Sequence, residues 1–290
     1  MSNSILTEFR FWTTEEENLL RQLTGSMSFK DMARLHFPNR TAGALQGKST
    51  SLRLNGGFHP TLHSHNIDFW KNPNQVNSFF AGYIAADGNL NKSRYNFRVQ
   101  TAHKDIKIIK DLKDAARFTG DLAEYNGYPA LSIAGCSEWY KDLAEIWSIT
   151  PAKTFTLQPP KITNDDLIKC FLIGFICGDG WVSYRSRGDY LTIGWCGASL
   201  SFMEWMAETL NRLYPIHERV GSIAGKLTKT RKVTGGNHYI SIIGNIRALR
   251  ILNDLSKFNV PKLDRKFNHP EAIRLIEKSK QKYPHLFLDN

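Results

Sequence analysis

Two aspartates, Asp87 and Asp179, close two copies of one nonapeptide and are the residues of this chain best suited to chemistry. The first copy is Phe80-Ala81-Gly82-Tyr83-Ile84-Ala85-Ala86-Asp87-Gly88, and Leu172-Ile173-Gly174-Phe175-Ile176-Cys177-Gly178-Asp179-Gly180 repeats its pattern 92 residues later. In each, small residues four apart (Gly82 and Ala86, Gly174 and Gly178) line one face of a helix. Glycine costs a helix interior about 1 kcal/mol against alanine, so matched glycines call for close helix–helix approach. The Asp-Gly that follows falls at the helix C-terminus, where Gly is expected as a left-handed cap and a carboxylate faces the negative end of the dipole. Two such helices side by side bring two carboxylates and two negative helix ends to one spot. A hard divalent cation such as Mg²⁺ relieves that conflict. The pair therefore predicts a metal-dependent site on a pseudo-twofold axis. Two unrelated Asp-Gly turns would explain each copy singly, but not the matched glycines.

The elements that must position these residues also repeat. A motif helix over about 75–87 is followed by alternation from Asn89 to Ala102, with Tyr95, Phe97 and Val99 on one face and Asn96, Arg98 and Gln100 on the other, hence a strand. Lys104-Asp105 opens a helix with Ile106, Ile109, Leu112 and Ala116 inward, residues 121–134 form a hairpin turning at Asn126-Gly127, and Cys136 to Trp147 is a second helix. The second half runs through a motif helix over about 165–178, a strand near 190–195, a helix from Ser199, a long hairpin over about 216–243 and a helix over about 245–256. Phe97-Arg98-Val99 aligns with Leu191-Thr192-Ile193 at an offset of 94, and Ser132-Ile133-Ala134-Gly135 matches Ser241-Ile242-Ile243-Gly244. Each half reads α-β-β-α-β-β-α. The expected fold class is mixed α/β (α+β), with repeats over 74–160 and 161–290 and an added C-terminal helix from Pro270 to Lys282.

Residues 1–56 read as a separate three-helix unit. Thr13 and Glu16 form a capping box, Ser28 caps a second helix, and Thr41 caps a third with Ala42, Leu45 and Leu52 inward and Gln46, Lys48, Ser49 and Arg53 outward. This unit resembles a Myb/SANT-type helix-turn-helix. That likeness implies a third helix in the DNA major groove, with Arg40, Gln46, Lys48 and Arg53 on phosphates or base edges. Residues 57–73 carry prolines and no periodicity and read as a linker. Their His59, His63 and His65 have no acidic or thiol ligand at matching spacing, so solvated histidines are expected rather than a metal site.

Composition narrows the partner. The 290-residue chain has a formal net charge of +11 and a pI near 9.5, which points to a polyanion, nucleic acid before membrane. No apolar run reaches the ~18 residues that span a bilayer, and the N-terminus lacks a signal design. Cys136, Cys170, Cys177 and Cys196 form no CxxC pair, so buried thiols in a reduced compartment, the cytoplasm, are expected.

Both nonapeptides resemble the LAGLIDADG motif of homing endonucleases, and the likeness extends over roughly residues 75–283. It implies a monomer whose sheets form a saddle on double-stranded DNA with a long, nearly asymmetric target. It also implies cleavage of both strands with Mg²⁺, leaving short 3′ overhangs, with Mn²⁺ substituting and Ca²⁺ supporting binding without cutting. Asp87 and Asp179 would hold the metal, beside Ala86 and Gly178, and a basic residue would lie at each site. Lys153 and Lys266 are the expected pair, with Lys262 as alternate for the second. Expected DNA contacts are Asn91, Lys92, Arg94, Asn96, Arg98 and Gln100 in the first half. In the second they are Ser183, Tyr184, Arg185, Arg187, Thr192, Lys226, Lys229, Arg231, Lys232 and Asn237. Arg and Lys suit guanine edges, Asn and Gln adenine. The chain departs from the motif at its first acidic position, occupied by Ala85 and Cys177. The position where some members carry a water-positioning glutamine falls at Thr101 and Trp195, one residue from Gln100, so that role is unassigned. The same fold also serves RNA maturases and non-cleaving DNA-binding regulators, which stand as the alternatives.

Overall fold

A computed structural model describes residues 11–25, 27–52, 54, 63–91, 95–215, 238–243 and 245–287. The chain divides into two compact units, 1–63 and 64–290.

The first unit comprises α1 (Thr14–Leu23), α2 (Phe29–Leu35) and α3 (Ala42–Ser51). The capping box forms: the Thr13 N–H donates to Glu16 Oε2 at 3.0 Å, and the Glu16 N–H to Thr13 Oγ1 at 3.2 Å. Ser28 and Thr41 cap α2 and α3 in the same manner. Leu20, Met32, Phe37 and Leu45 make the core. Ser49, expected on the outer face, is buried, because it lies four residues after Leu45 on the same stripe.

The second unit begins with α4 (Gln75–Asp87), β1 (Gly88–Asn91), β2 (Asn96–Gln100), α5 (Lys107–Ala115), β3 (Ala123–Tyr125), β4 (Tyr128–Ile133) and α6 (Ser137–Glu145). It continues with α7 (Asp165–Cys177), β5 (Gly180–Arg185), β6 (Tyr190–Gly197), α8 (Leu200–Leu213), β7 (His238–Ile243), α9 (Asn245–Lys257), α10 (Asp264–Phe267) and α11 (Pro270–Lys282). The architecture is the expected mixed α/β repeat. Antiparallel sheets of order β1-β2-β4-β3 and β5-β6-β7 follow the two motif helices. Lys226, Lys229, Arg231, Lys232 and Asn237 of the long hairpin lie outside the described residues, as do Lys92, Arg94 and Arg53.

The two motif helices are the axis. Residues 77–85 of α4 and 170–177 of α7 are buried throughout, as expected of helices apolar on all sides. A Cβ on Gly82 would lie 1.9 Å from the Phe171 carbonyl oxygen, and one on Gly174 would lie 1.8 Å from that of Phe79. Main chain rests on main chain at pseudo-symmetric points, which is why both positions are glycine. The cap expectation is corrected. Gly88 has φ −78° and is not left-handed. It is glycine because a Cβ there would sit 2.4 Å from Ile84 Cγ2, and Gly180 likewise crowds Ile176 Cα at 2.6 Å. The chain thus passes straight from each helix into its first strand.

Ladder register corrects the strand alignment. Gly88 pairs with Val99 and Gly180 with Trp195, so Val99 corresponds to Trp195, an offset of 96 rather than 94. The β5–β6 hairpin is longer by two residue pairs, and an even shift leaves every side chain on its own face. Tyr95, expected inward, is a turn residue at φ +44° and is 44% exposed. Asp105, read as opening a helix, ends a short 3₁₀ turn (His103–Asp105) and is buried.

Candidate active site

The C-terminal ends of α4 and α7 carry the carboxylates. Gly178 shows how closely the ends meet: a Cβ there would lie 2.4 Å from Ala86 Cβ and 3.0 Å from Asp87 Oδ2. Each end leaves carbonyls that the helix cannot satisfy, and in each half one lysine takes them. Lys153 Nζ donates to Gly88 O at 2.8 Å and Ala86 O at 3.3 Å. Lys266 Nζ donates to Ile176 O at 2.6 Å, Gly180 O at 2.7 Å, Cys177 O at 2.9 Å and Gly178 O at 3.4 Å. Gly88 corresponds to Gly180 and Ala86 to Gly178, so the two lysines do equivalent work. Lys262, the alternate, closes the end of α9 instead, donating to Ser256 O and Phe258 O.

The electrostatics are strained in favour of a cation. Asp87 and Asp179 are both open to solvent. Surrounding protein nevertheless raises both carboxyls, and repulsion from Asp179 adds to this at Asp87, which reaches about 6 against the pull of Lys266 and Lys153. Burial lowers both lysines, Lys266 to about 8, which leaves it charged at neutral pH. Two carboxylates and two helix ends of roughly half a negative charge each outweigh two ammonium groups. The donors facing the cleft are carboxylate and carbonyl oxygens, the set that Mg²⁺ or Ca²⁺ prefers. The Ala86 and Gly178 carbonyls are the ones the lysines hold most loosely, which leaves them able to serve a cation. The residues present fit such an ion. Among the described residues no group of three His, Cys, Asp or Glu side chains could hold a metal, so phosphate and water oxygens would have to complete its shell.

The sheet faces sort the expected DNA contacts. Phe97 and Val99 are buried, and Asn96, Arg98 and Gln100 are on the opposite, accessible face with Asn91 at the strand end. The Arg98 guanidinium stacks 3.6 Å from the Tyr125 ring centre, which puts Tyr125 and its cross-strand partner Tyr128 on that face too. In the second sheet Ser183 and the exposed Arg185 face outward, and Arg187 is exposed in the hairpin. Two expectations are corrected. Tyr184 packs on the core side with Val182, and its hydroxyl donates to Asp189 at 2.8 Å. Thr192 shares the outward face of its cross-strand partner Ser183 but is buried there. Sequence reasoning missed Trp181, whose ring covers Gly194, and Tyr239, which stacks edge-on against it. The legible signal was a glycine inside an apolar strand, which marks close approach.

In the first unit Gln46 is exposed on α3. Arg40, however, forks onto Glu16 at 2.9 and 2.7 Å over the Trp12 ring, with 10% of its side chain exposed. Lys48 pairs with Glu17 at 2.6 Å. Both basic side chains are spent within the bundle, which corrects the expectation that they face a ligand. In the second unit His65, expected to be solvated, is instead partly buried edge-on against Trp139.

No protein-family model and no curated protein matches the chain. Solved structures do. I-AabMI, a LAGLIDADG meganuclease bound to uncleaved DNA, is 12% identical with a TM-score of 0.49, over 72% of this chain and 92% of that one. The I-LtrWI LAGLIDADG homing endonuclease bound to target DNA is 13% identical with a TM-score of 0.44, over 76% and 93%. The I-SmaMI LAGLIDADG homing endonuclease bound to cleaved DNA is 13% identical with a TM-score of 0.45, over 73% and 91%. These solved structures, to which the fold of this chain is similar, are LAGLIDADG homing endonucleases or meganucleases.

Proposed function

We propose that this chain is a site-specific endonuclease of the LAGLIDADG type that cuts both strands of duplex DNA with a divalent cation. One observation carries the reading: Asp87 and Asp179 stand at the touching ends of two pseudo-symmetric helices, each end closed by its own lysine. Neither a purely structural crossing nor a binding module needs two solvent-open carboxylates held against each other. Asp87 and Asp179, with the Ala86 and Gly178 carbonyls, would hold Mg²⁺, with Mn²⁺ able to replace it and Ca²⁺ supporting binding without cutting. Bound there, the ion supplies a water of lowered pKa and neutralises charge on the scissile phosphate. The chain's own share is positioning. Lys153 and Lys266 fix the ends that carry the carboxylates and offset their charge. Asn91, Asn96, Arg98 and Gln100 with Tyr125 hold one flank of the duplex, and Ser183, Arg185 and Arg187 the other. The two faces differ, which supports a long, nearly asymmetric target read by a monomer.

The reaction is hydrolysis. A water oxygen bonds to phosphorus, the bond to O3′ breaks, and solvent exchanges the protons, leaving 3′-hydroxyl and 5′-phosphate ends with a short 3′ overhang. Residues 1–56 would add affinity as a helix-turn-helix, joined by a linker over 57–73. The test is selection of cut products from a randomised duplex pool with Mg²⁺, against a Ca²⁺ control. Recovery of one extended sequence cut on both strands only with Mg²⁺ is expected. Binding without cutting would make the chain a regulator, and selective retention of structured RNA would make it a maturase.

A further inference from the structure

The pseudo-twofold arrangement fails at one pair of charges beside the site. Arg265 of α10, in the second half, forks onto Asp105 of the first half, with Nη2–Oδ2 at 2.8 Å and Nε–Oδ1 at 3.2 Å. Asp105 is nearly buried, with 10% of its side chain exposed, whereas Arg265 keeps 45%. Both line the open cleft of about 600 Å³ that holds Asp87, Gln100 and Lys153.

Among the described residues the other half has no such pair. Lys153 and Lys266 bind corresponding carbonyls, which aligns Arg265 with Ala152. The ladder offset of 96 aligns Asp105 with Ser201, and residues 197–203 contain no acid. Asp179 instead opens onto a small cavity of about 140 Å³ lined by Thr154, Cys196 and Ser199 and by Lys153, which borders both spaces. Among the described residues, therefore, the cleft at Asp87 carries this guanidinium and the cavity at Asp179 carries none.

The geometry of that guanidinium suits an oxyanion. An arginine carries five N–H donors in a planar fork that matches phosphate. Asp105 engages Nε and Nη2, and Nη1 makes no hydrogen bond among the described residues. Arg265 can thus donate to a phosphate without releasing Asp105, so the buried carboxylate never loses its partner. A buried acid that pins one edge of the fork fixes where the other edge points.

We propose that Arg265, held across the two halves by Asp105, is a phosphate-contacting catalytic residue of the Asp87 cleft alone, so that the two DNA strands are cut by unequal machinery. This rests on the endonuclease reading above. Arg265 stabilises the charge that builds on the phosphate oxygens as water adds and O3′ departs, and Asp105 is its positioning residue.

The test follows single-turnover nicking of each strand, separately end-labelled, on the duplex recovered by selection, at saturating protein. Arg265→Ala should slow one strand by about 100-fold, the usual cost of one transition-state donor, and leave the other within about threefold, so that singly nicked duplex accumulates. Asp105→Asn should slow the same strand by about tenfold. Arg265→Lys keeps the charge and the tie between the halves without the fork, and should recover part of that strand's rate. Equal slowing of both strands by Arg265→Ala and Arg265→Lys, or no slowing of either, overturns the proposal while leaving the endonuclease reading standing. Wild-type protein that cuts neither strand of any duplex overturns the endonuclease reading, and this inference with it.

Discussion

Asp87 is a residue whose proposed metal-holding role and whose contribution to stability pull in opposite directions. Its carboxyl is raised from the ordinary 3.8 to about 6 by the surrounding protein and then by Asp179. A folded pKa above the unfolded one means a contribution to stability that is complete below the unfolded value and lost as pH rises through about 6. At pH 7.5 without divalent ions the charged pair therefore weakens the fold. Asp87→Asn should raise the melting temperature at pH 7.5, with the gain fading as pH falls below 6, while cutting disappears and DNA binding persists. Mg²⁺ or Ca²⁺ should raise the melting temperature of the wild type and not of this variant. Retained cutting, or a variant less stable than wild type at pH 7.5, removes the metal assignment. The lysines should separate differently. Lys266 is buried and serves four carbonyls, whereas Lys153 is half-buried and serves two. Lys266→Met is expected to cost about 3 kcal/mol in urea unfolding and Lys153→Met about 1 kcal/mol, with cutting slowed in both. Equal costs would mean that the carbonyls find water once the ammonium has gone.

The crossing of α4 and α7 is the element on which both halves depend, and its tolerance is set by main-chain contact. Gly174→Ala puts a methyl group 1.8 Å from the Phe79 carbonyl, an atom that cannot turn aside. A loss of about 3 kcal/mol is expected for the second unit. Gly47→Ala on α3, where nothing lies within 4 Å, should stabilise the first unit by about 0.5–1 kcal/mol. Similar urea midpoints for the two variants would show that the helices slide without cost. This crossing was legible in the sequence because the same small residues recur at the same spacing, and repetition turns a weak propensity into a pattern. The strand offset was not, because alternation has period two and reads the same after a shift of two residues. Only hydrogen-bond register separates 94 from 96. Lys262 stood as an alternate to Lys266 because proximity in sequence does not say which carbonyls a flexible stem will reach. Arg40 and Lys48 read as ligand-facing because basic residues on a helix look alike until their acidic partners on α1 come beside them. The pairing of Asp105 with Arg265, 160 residues apart, left no local trace at all.

At the scale of the whole chain, charge sets how the units would share the proposed work on DNA. Residues 1–63 contain seven Lys or Arg against five Asp or Glu, so they carry +2 of the net +11, and residues 64–290 carry +9. Two of the seven, Arg40 and Lys48, already pair with Glu16 and Glu17 inside the bundle. Each phosphate neutralised adds about 0.9 to the slope of log K against log salt. The first unit can therefore add no more than a few phosphate contacts, whereas the second supplies the main electrostatic attraction. Its two sheets and the crossing between them lie wholly within 64–290, which is a compact body by itself. Removing residues 1–63 should leave a folded protein that still cuts both strands, with a salt slope reduced by no more than about 3 and a several-fold loss of affinity. Titration of labelled duplex across a salt series, with Ca²⁺ to block cutting, reads both quantities. A larger fall in slope would place most phosphate contacts on the helical unit and reverse this division. Unchanged affinity would mean that the three-helix unit, with Arg40 and Lys48 paired inside the bundle, serves a partner other than this duplex.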